Sequence, residues 1–439
     1  MMKNIKMRKL SAILLSMALL LGCLALSAQA TEPAVSRVVT TFYGPGAQGF
    51  HWYTDVQAES VVIVEGVSHT GTSKRFQGAW AHSVVVDGLE PGREYSYRFG
   101  DCEGKFRTNP GRGVPVNFIV GGDPQATGRD GFRLSANIFA AALEDYPEAG
   151  FYAIVGDMTQ NSTNEEWDLF LEEFESIHAK TTLVPASGNH DGFLKWGWFR
   201  NMFTLREQRN YTNLSGVYYS FDYGDAHIAV LNTNDWFHVG TAQLNWLIND
   251  MTASDARWKI IMTHKPVYFH YEVAPDCLAL RRVLGPVCDM LGIDLVLSGH
   301  KHSYTRSAPL KNHGAADYER CEESLFTDPD GTIYAMPGAV GGRGGDSPTF
   351  ADIAIDGDTL RYRASVYDKG TGLTRLRDEF VIEKTLHAAP AAYRTKLPTD
   401  PVLNLPGQVV EFLAMFATLL VSDYLFGGLL FQATGELFA

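Results

Sequence analysis

Short β-branched and aromatic runs recur from Ser36 to Thr108 and predict an all-β segment. They are Val38-Val39-Thr40-Thr41-Phe42, Phe50-His51-Trp52-Tyr53, Val61-Val62-Ile63-Val64, His82 to Val86, and Tyr95-Ser96-Tyr97-Arg98-Phe99. Gly44-Pro45-Gly46, Gly71 and Pro91-Gly92 separate them. Turn residues at this spacing break the chain into short strands, so the segment reads as a small β-sandwich. The pattern changes near Val114. From there to Lys384, β-branched runs alternate with stretches of helical period, the mark of an α/β layered domain. Asn164 is a candidate cap for one helix, on which Trp167, Phe170, Leu171, Phe174 and Ile177 share a face. Ala242 to Met251 predicts another, with Leu244, Trp246, Leu247 and Met251 as its apolar side. Burial is the usual use of such residues, and they read as core.

The two ends follow other patterns. Met1 to Lys9 is basic, and Ser11 to Leu26 is an apolar run too brief for a membrane span. Ala28-Gln29-Ala30 offers a small-residue cleavage site before Thr31, so residues 1–30 read as an export signal. Leu20-Leu21-Gly22-Cys23 also resembles a bacterial lipobox, in which Cys23 would carry a lipid. Both readings place the mature chain outside the cytoplasm, as a periplasmic, secreted or cell-surface protein. At the other end, Pro390, Pro398, Pro401 and Pro406 mark a linker. The stretch Val409 to Phe431 is apolar but broken by Glu411, Asp423 and Gly427-Gly428. Its uncharged run is shorter than the ~18 residues of a span. It reads as a helix packed on the protein or a partner, with membrane contact as the alternative. The chain therefore divides into a signal (1–30), a β-sandwich (31–112), an α/β domain (113–386), and a linker with an apolar helix (387–439).

Composition narrows the function. Of 439 residues, 45% are hydrophobic, which excludes wholesale disorder. The net charge is -13, with 37 basic and 50 acidic residues. Without the signal, which holds Lys3, Lys6, Arg8 and Lys9 and no acid, 33 against 50 leaves -17. That balance argues against sequence-independent nucleic-acid binding, which needs a basic footprint. It leaves an anionic substrate open, because metal ions supply positive charge locally. Past Cys23 come Cys102, Cys277, Cys288 and Cys321, with no C-x-x-C pair for a thiolate metal site.

Five segments carry Asp, Asn or His just after an apolar run. They are Phe118 to Gln125, Ala153 to Asp157, Leu183 to Asp191, Ile260 to His264, and Leu295 to His302. In an open α/β sheet, the loops leaving the carboxyl ends of strands converge on one crevice. Glycine before a polar residue lets the backbone turn sharply and aim the side chain there. Carboxylate, carboxamide and imidazole together suit a metal of intermediate hardness. A carboxylate between two sites can bridge two ions, which activate a hydroxide and clamp both oxygens of an in-line displacement at phosphorus. Each segment alone is weak, since strand-Gly-Asp is usually a turn and a lone histidine usually structural. Gly188-Asn189-His190-Asp191 and Gly299-His300-Lys301-His302 are stronger, and all five in one order point one way.

With these motifs the chain resembles a calcineurin-like metallophosphoesterase of the purple acid phosphatase branch. The likeness covers nearly the whole mature chain except the tail. Leu89-Glu90-Pro91-Gly92 with Tyr95 and Tyr97 is similar to a fibronectin type III-like domain. Gly240 to Leu247, Gly299 to Arg306, Asp328 to Gly338 and Asp378 to Ile382 also fit the branch. The resemblance implies a four-layer αββα sandwich with a dinuclear centre of iron, zinc or manganese. It implies Asp123 and His302 on the first metal, Asp157 as the bridge, and Asn189, His264 and His300 on the second. It implies His190 facing the substrate and Asp191 orienting His190.

Two positions depart from the branch. Gln160 stands where the branch usually has the tyrosine that binds ferric iron, so no tyrosinate-to-iron absorption band is expected. Gln125 stands where the wider superfamily often has histidine; it either ligates the first metal through its carbonyl or hydrogen-bonds a bound water. His270, Tyr271 and Arg306 are further candidates for lining the substrate pocket, each with an ordinary surface or ion-pair role as the alternative. Asn161, Asn210 and Asn213 match the glycosylation pattern, which matters only in a eukaryotic secretory route. The expected activity is hydrolysis of phosphomonoesters, with phosphodiesters such as cyclic nucleotides or headgroup diesters second. A cell-surface binding protein with a vestigial metal site is the alternative of another class.

Overall fold

The computed structural model describes residues 33–192, 198–207, 216–234, 242–269, 275–311, 321–341 and 347–386. Two sheets lie face to face, and side-chain alternation shows which face is which. Successive residues on a strand point to opposite sides. In the strands Ala226–Val230, Trp258–Met262, Leu295–Leu297 and Ile333–Met336, one set of residues is Ile228, Ile260, Leu295 and Ile333. These join the core shared with Phe118, Phe151 and Leu183 of the other sheet. The intervening set, Ala229, Ile261, Val296 and Tyr334, packs instead on Leu244, Leu247 and Met251 of helix Ala242–Ala253 and on Leu280 and Leu284 of helix Pro275–Leu291. On the far side, helices Arg129–Asp145 and Asn164–Glu173 bury Phe132, Ile138, Phe139 and Phe170 against the first sheet. This is the αββα sandwich that the resemblance implies.

The order of the larger, eleven-stranded sheet shows a difference from a simple two-domain picture. Strand Val35–Gly44 of the N-terminal sandwich pairs in parallel with Thr182–Ala186 of the α/β domain, at Thr41 and Leu183. One sheet of the sandwich is thus continuous with the α/β sheet. The pairing covers a strand edge that would otherwise expose unpaired backbone groups. The sandwich closes on a four-stranded sheet, Val67–Thr70, Val61–Val64, Glu94–Phe99 and Cys102–Arg107. Its separate core holds Phe50, Trp52, Val62, Val84, Tyr97 and Phe106.

Local details refine the expected elements. Thr163, not Asn164, caps the first expected helix: its hydroxyl accepts from Glu166 N–H and the Glu166 carboxylate reaches back to Thr163 N–H. That helix ends at Glu173, and a short turn Glu175–His178 carries Ile177. Among the described residues no disulfide forms; Cys102, Cys277, Cys288 and Cys321 each keep a thiol. No helix among the described residues is long and apolar enough to cross a membrane. Cys23, the signal and the C-terminal stretch lie outside the described residues.

His178 is fully buried against Tyr152, Phe170 and Phe174, and among the described residues neither ring nitrogen meets a hydrogen-bond partner. Burial holds its pKa down at about 3, against 6.5 for the free side chain. The unfolded chain therefore takes up this proton first as pH falls below 6.5, and folding loses stability progressively down to about pH 3. At pH 5 the loss from this group is about 2 kcal/mol. His178→Leu is expected to raise the melting temperature, and more at pH 5 than at pH 8. Thermal unfolding at the two pH values checks this; an equal shift at both would show that the ring protonates in the folded chain.

Candidate metal centre

The first three chemical segments leave three parallel strands, Val116–Gly121, Phe151–Val155 and Thr182–Ala186. The last two leave parallel strands Trp258–Met262 and Leu295–Leu297 of the second sheet. The carboxyl ends of both sheets therefore meet at one edge of the sandwich, where the sequence places Asp123, Asp157, Asn189, His264, His300 and His302 together. Four of these residues hold an unusual backbone: Asp123 (φ 55), Asp157 (φ 54), His300 (φ 76) and His302 (φ 54). L-residues rarely adopt this region, and such strain clusters where geometry serves function.

Donor atoms gather in two overlapping groups. One ligand atom from each of Asp157, His264 and His300 lies within 4.8 Å of the others, and the same holds for Asp123, Asp157 and His302. Asp157 belongs to both groups. Around His264 Nε2 lie Asn189 Oδ1 at 3.0 Å, Asp157 Oδ2 at 3.1 Å and His300 Nδ1 at 3.3 Å. The Nδ1 of His264 faces the Val155 carbonyl at 2.9 Å. A proton on Nδ1 donates there, which leaves Nε2 as the atom turned to the other donors. On the other side, His302 Nε2 is 3.6 Å from Asp123 Oδ1, and Asp123 also accepts from His300 N–H at 2.9 Å.

Electrostatics favour a cation here. Asp123, Asp157 and Asp191 are all buried. Burial, with the charge of Asp157, pushes Asp123 up to about 8 despite the attraction of His264. Burial and then Asp157 push Asp191 up to about 6. Burial alone would raise Asp157 too, but His264 and His190 hold its carboxyl below the usual range. Burial would lower His264, but the charge and hydrogen bond of Asp157 raise it to about 9. The side-chain oxygen Oε1 of Gln125 is buried and meets no hydrogen-bond donor among the described residues. Three crowded carboxylates, an amide oxygen and imidazoles fit two metal ions of the iron, zinc or manganese kind.

This arrangement makes metal binding proton-linked. Ligands bind metal deprotonated, whereas His264 and Asp123 keep protons to about pH 9 and 8 in the metal-free chain. Loading at pH 7 is expected to release protons, and apparent affinity is expected to rise with pH up to about 9. Calorimetric titration in buffers of differing ionisation enthalpy measures this; zero proton release would contradict it.

The residues around His190 differ from the expected roles. Asp191 does not meet His190. Its carboxylate accepts from Gly188 N–H at 2.8 Å and Thr159 N–H at 2.9 Å, so it ties the loops of Asn189 and Asp157 together. It is the main-chain carbonyl of Gln160 that faces His190 Nδ1, at 2.7 Å. The Gln160 side chain lies beside Gln125, with Gln125 Nε2 at 3.3 Å from Gln160 Oε1. His190 N–H donates to Asp157 Oδ1 at 2.9 Å. Arg306 pairs with Asp378 through Nε at 2.8 Å and Nη2 at 3.2 Å. This is the ion-pair alternative raised for Arg306 by the sequence. His270 and Tyr271 lie outside the described residues.

Three supporting groups were not among the candidate side chains. Asn234 donates to the carbonyls of Ser187 and Gly188, at 3.1 and 2.9 Å, and so braces the loop of Asn189. The Gln160 carbonyl and the Val155 carbonyl are backbone atoms, invisible to residue type. Asn232-Thr233-Asn234 after strand Ala226–Val230 was the available signal, since it repeats the placement of polar residues at a strand end.

The fold and these donor groups point to the phosphoesterases, and the comparisons name the family. Residues 117–304 match the family model of the calcineurin-like phosphoesterases. "Acid phosphatase type 7" of Mus musculus is 27% identical over 298 residues, covering 60% of this chain and 64% of that protein. "Purple acid phosphatase 21" of Arabidopsis thaliana is 26% identical over 283 residues, covering 60% of this chain and 59% of that protein. The matched region thus spans less than two thirds of these relatives. Purple acid phosphatase PPD1 from yellow lupin seeds shares the fold, with a TM-score of 0.65 at 18% identity over 80% of this chain and 75% of that one. Residues 117–304 thus form a calcineurin-like phosphoesterase domain, similar to those of acid and purple acid phosphatases.

Proposed function

We propose that the chain is an exported metal-dependent phosphohydrolase acting first on phosphomonoesters. The observation that carries this reading is Asp157, buried and common to both donor groups. Two ions bound there would supply positive charge for a phosphate group and activate water for attack at phosphorus. The chain's own residues set the rest. Asp157 holds the backbone of His190 through Oδ1. His190 Nδ1–H donates to the Gln160 carbonyl, which leaves Nε2 for the ester. With a second proton on Nε2, the imidazolium so oriented would stabilise the anion and pass that proton to the departing alcohol oxygen, returning to the neutral ring. Asn189, His264 and His300 would hold one ion, and Asp123 and His302 the other, with Gln125 Oε1 as a further donor to it. The acid phosphatase relatives support monoesters ahead of diesters. The basic, apolar and small-residue succession of residues 1–30 supports export.

The test is hydrolysis of a chromogenic monoester and diester by metal-stripped protein reloaded with iron, zinc or manganese. Metal-dependent turnover of the monoester is expected. Turnover of the diester alone would reverse the order of substrates, and tight binding of two ions without turnover would favour the vestigial site. Iron-loaded protein is expected to lack a tyrosinate absorption band, because Gln160 occupies the tyrosine position.

A further inference from the structure

We infer that Asp378 is a positioning residue for His302: it latches the loop carrying this metal ligand to the opposite sheet. The inference rests on the dinuclear reading proposed above. His300 and His302 both sit at positive φ, 76° and 54°. Such backbone persists only where its surroundings hold it on both sides. The upstream hold is Gly299 N–H on the His264 carbonyl at 3.0 Å, with His300 N–H on Asp123. The downstream hold is Asp378. Tyr304 OH donates to Asp378 Oδ2 at 2.5 Å. Arg306 grips the same carboxylate with Nε at 2.8 Å and Nη2 at 3.2 Å, a two-pronged charge-assisted pair. Its Nη1 donates to the Glu323 carbonyl at 2.7 Å. A carboxylate that binds the second and fourth residues past His302 fixes the backbone leaving that ligand.

The latch crosses between sheets. Asp378 lies on strand Thr374–Glu383 of the eleven-stranded sheet, and Thr305–Arg306 belongs to the six-stranded sheet. The donor pair of one metal group crosses in the same way, Asp123 from one sheet and His302 from the other. The other group has its own supports: Val155 O on His264, and Asn234 and Asp191 on the loop of Asn189. His300, on the same loop but in that other group, is held upstream by its own N–H on Asp123, so loosening Asp378 acts first on His302 and the ion it shares with Asp123.

The experiment is a metal titration of the full chain with zinc or manganese, in which two binding phases are resolved. His302→Ala and Asn189→Ala identify which phase belongs to which ion. Asp378→Asn is expected to weaken the His302 phase by about 10- to 100-fold, the range for groups that orient a ligand. It should leave the other phase unchanged and add nothing on the His302→Ala background. Tyr304→Phe removes one hydrogen bond and keeps the ring; it should shift the same phase by less, and it decides the matter if Asp378→Asn fails to fold. Equal weakening of both phases, or of neither, overturns the latch and leaves the dinuclear reading intact. A wild-type chain that binds fewer than two ions overturns that reading, and the latch with it.

Discussion

Asp157→Asn is expected to lower phosphomonoester turnover by about a thousandfold or more and to drop metal stoichiometry below two. Removing one preorganised donor from a developing charge already costs about 10²–10³ in rate. Asp157 serves more than one partner. Its Oδ2 faces His264 Nε2 at 3.1 Å and its Oδ1 accepts from His190 N–H at 2.9 Å. Asparagine keeps the shape and one oxygen but removes the charge that both donor groups share. The same change withdraws the main influence that raises His264 to about 9, so its imidazole gives up its proton at lower pH. Metal-loaded and metal-free protein should therefore differ less in proton uptake in the variant. Kinetics, elemental analysis and proton-release calorimetry on one preparation test the three effects together. Retention of two ions with full turnover would remove Asp157 from the bridging role.

Much of this was legible in the sequence because both fold and site rest on strands. Buried parallel strands appear as unbroken apolar runs, and the polar residue after each run is the one the crevice receives. Phe118 to Gln125 and Leu295 to His302 show both signals within eight residues. The helices were less legible. Arg129–Asp145 begins after Gly128, which has no side chain to cap it, and Gly131 lies in its first turn. Pro275–Leu291 carries Pro286 inside it, which reads as a breaker. Tertiary packing on Ile261, Val296 and Tyr334 outweighs that local preference. The continuity of the two sheets was not legible either, because the pairing of Thr41 with Leu183 spans distant segments. The role of Asp191 failed for a related reason. Adjacency to His190 suggested an imidazole partner, but the helical turn Asn189–Gly192 points the carboxylate at the Gly188 and Thr159 amides instead.

Gly156→Ala is expected to damage stability and site together, and the two effects can be separated. Gly156 sits at φ +94°, and a Cβ there would lie 2.3 Å from His264 Nδ1. The left-handed backbone costs an L-residue about 1–2 kcal/mol. The collision adds about 1–3 kcal/mol of overpacking, because His264 is fully buried and cannot swing aside. Relief requires the imidazole to leave the Val155 carbonyl, which carries Nε2 away from Asn189 and Asp157. A displacement of about 1 Å in a catalytic group costs about 10²-fold in rate. Gly357→Ala is the control, since φ is +53° there and a Cβ meets nothing within 4 Å. It should show the backbone cost in thermal unfolding and keep both ions and turnover. If Gly156→Ala behaves as this control does, the imidazole has room that the geometry denies it, and the tautomer assigned to His264 loses its support. If it loses the ion held by His264 while melting only a few degrees lower, the glycine is there for the metal ligand rather than for the turn.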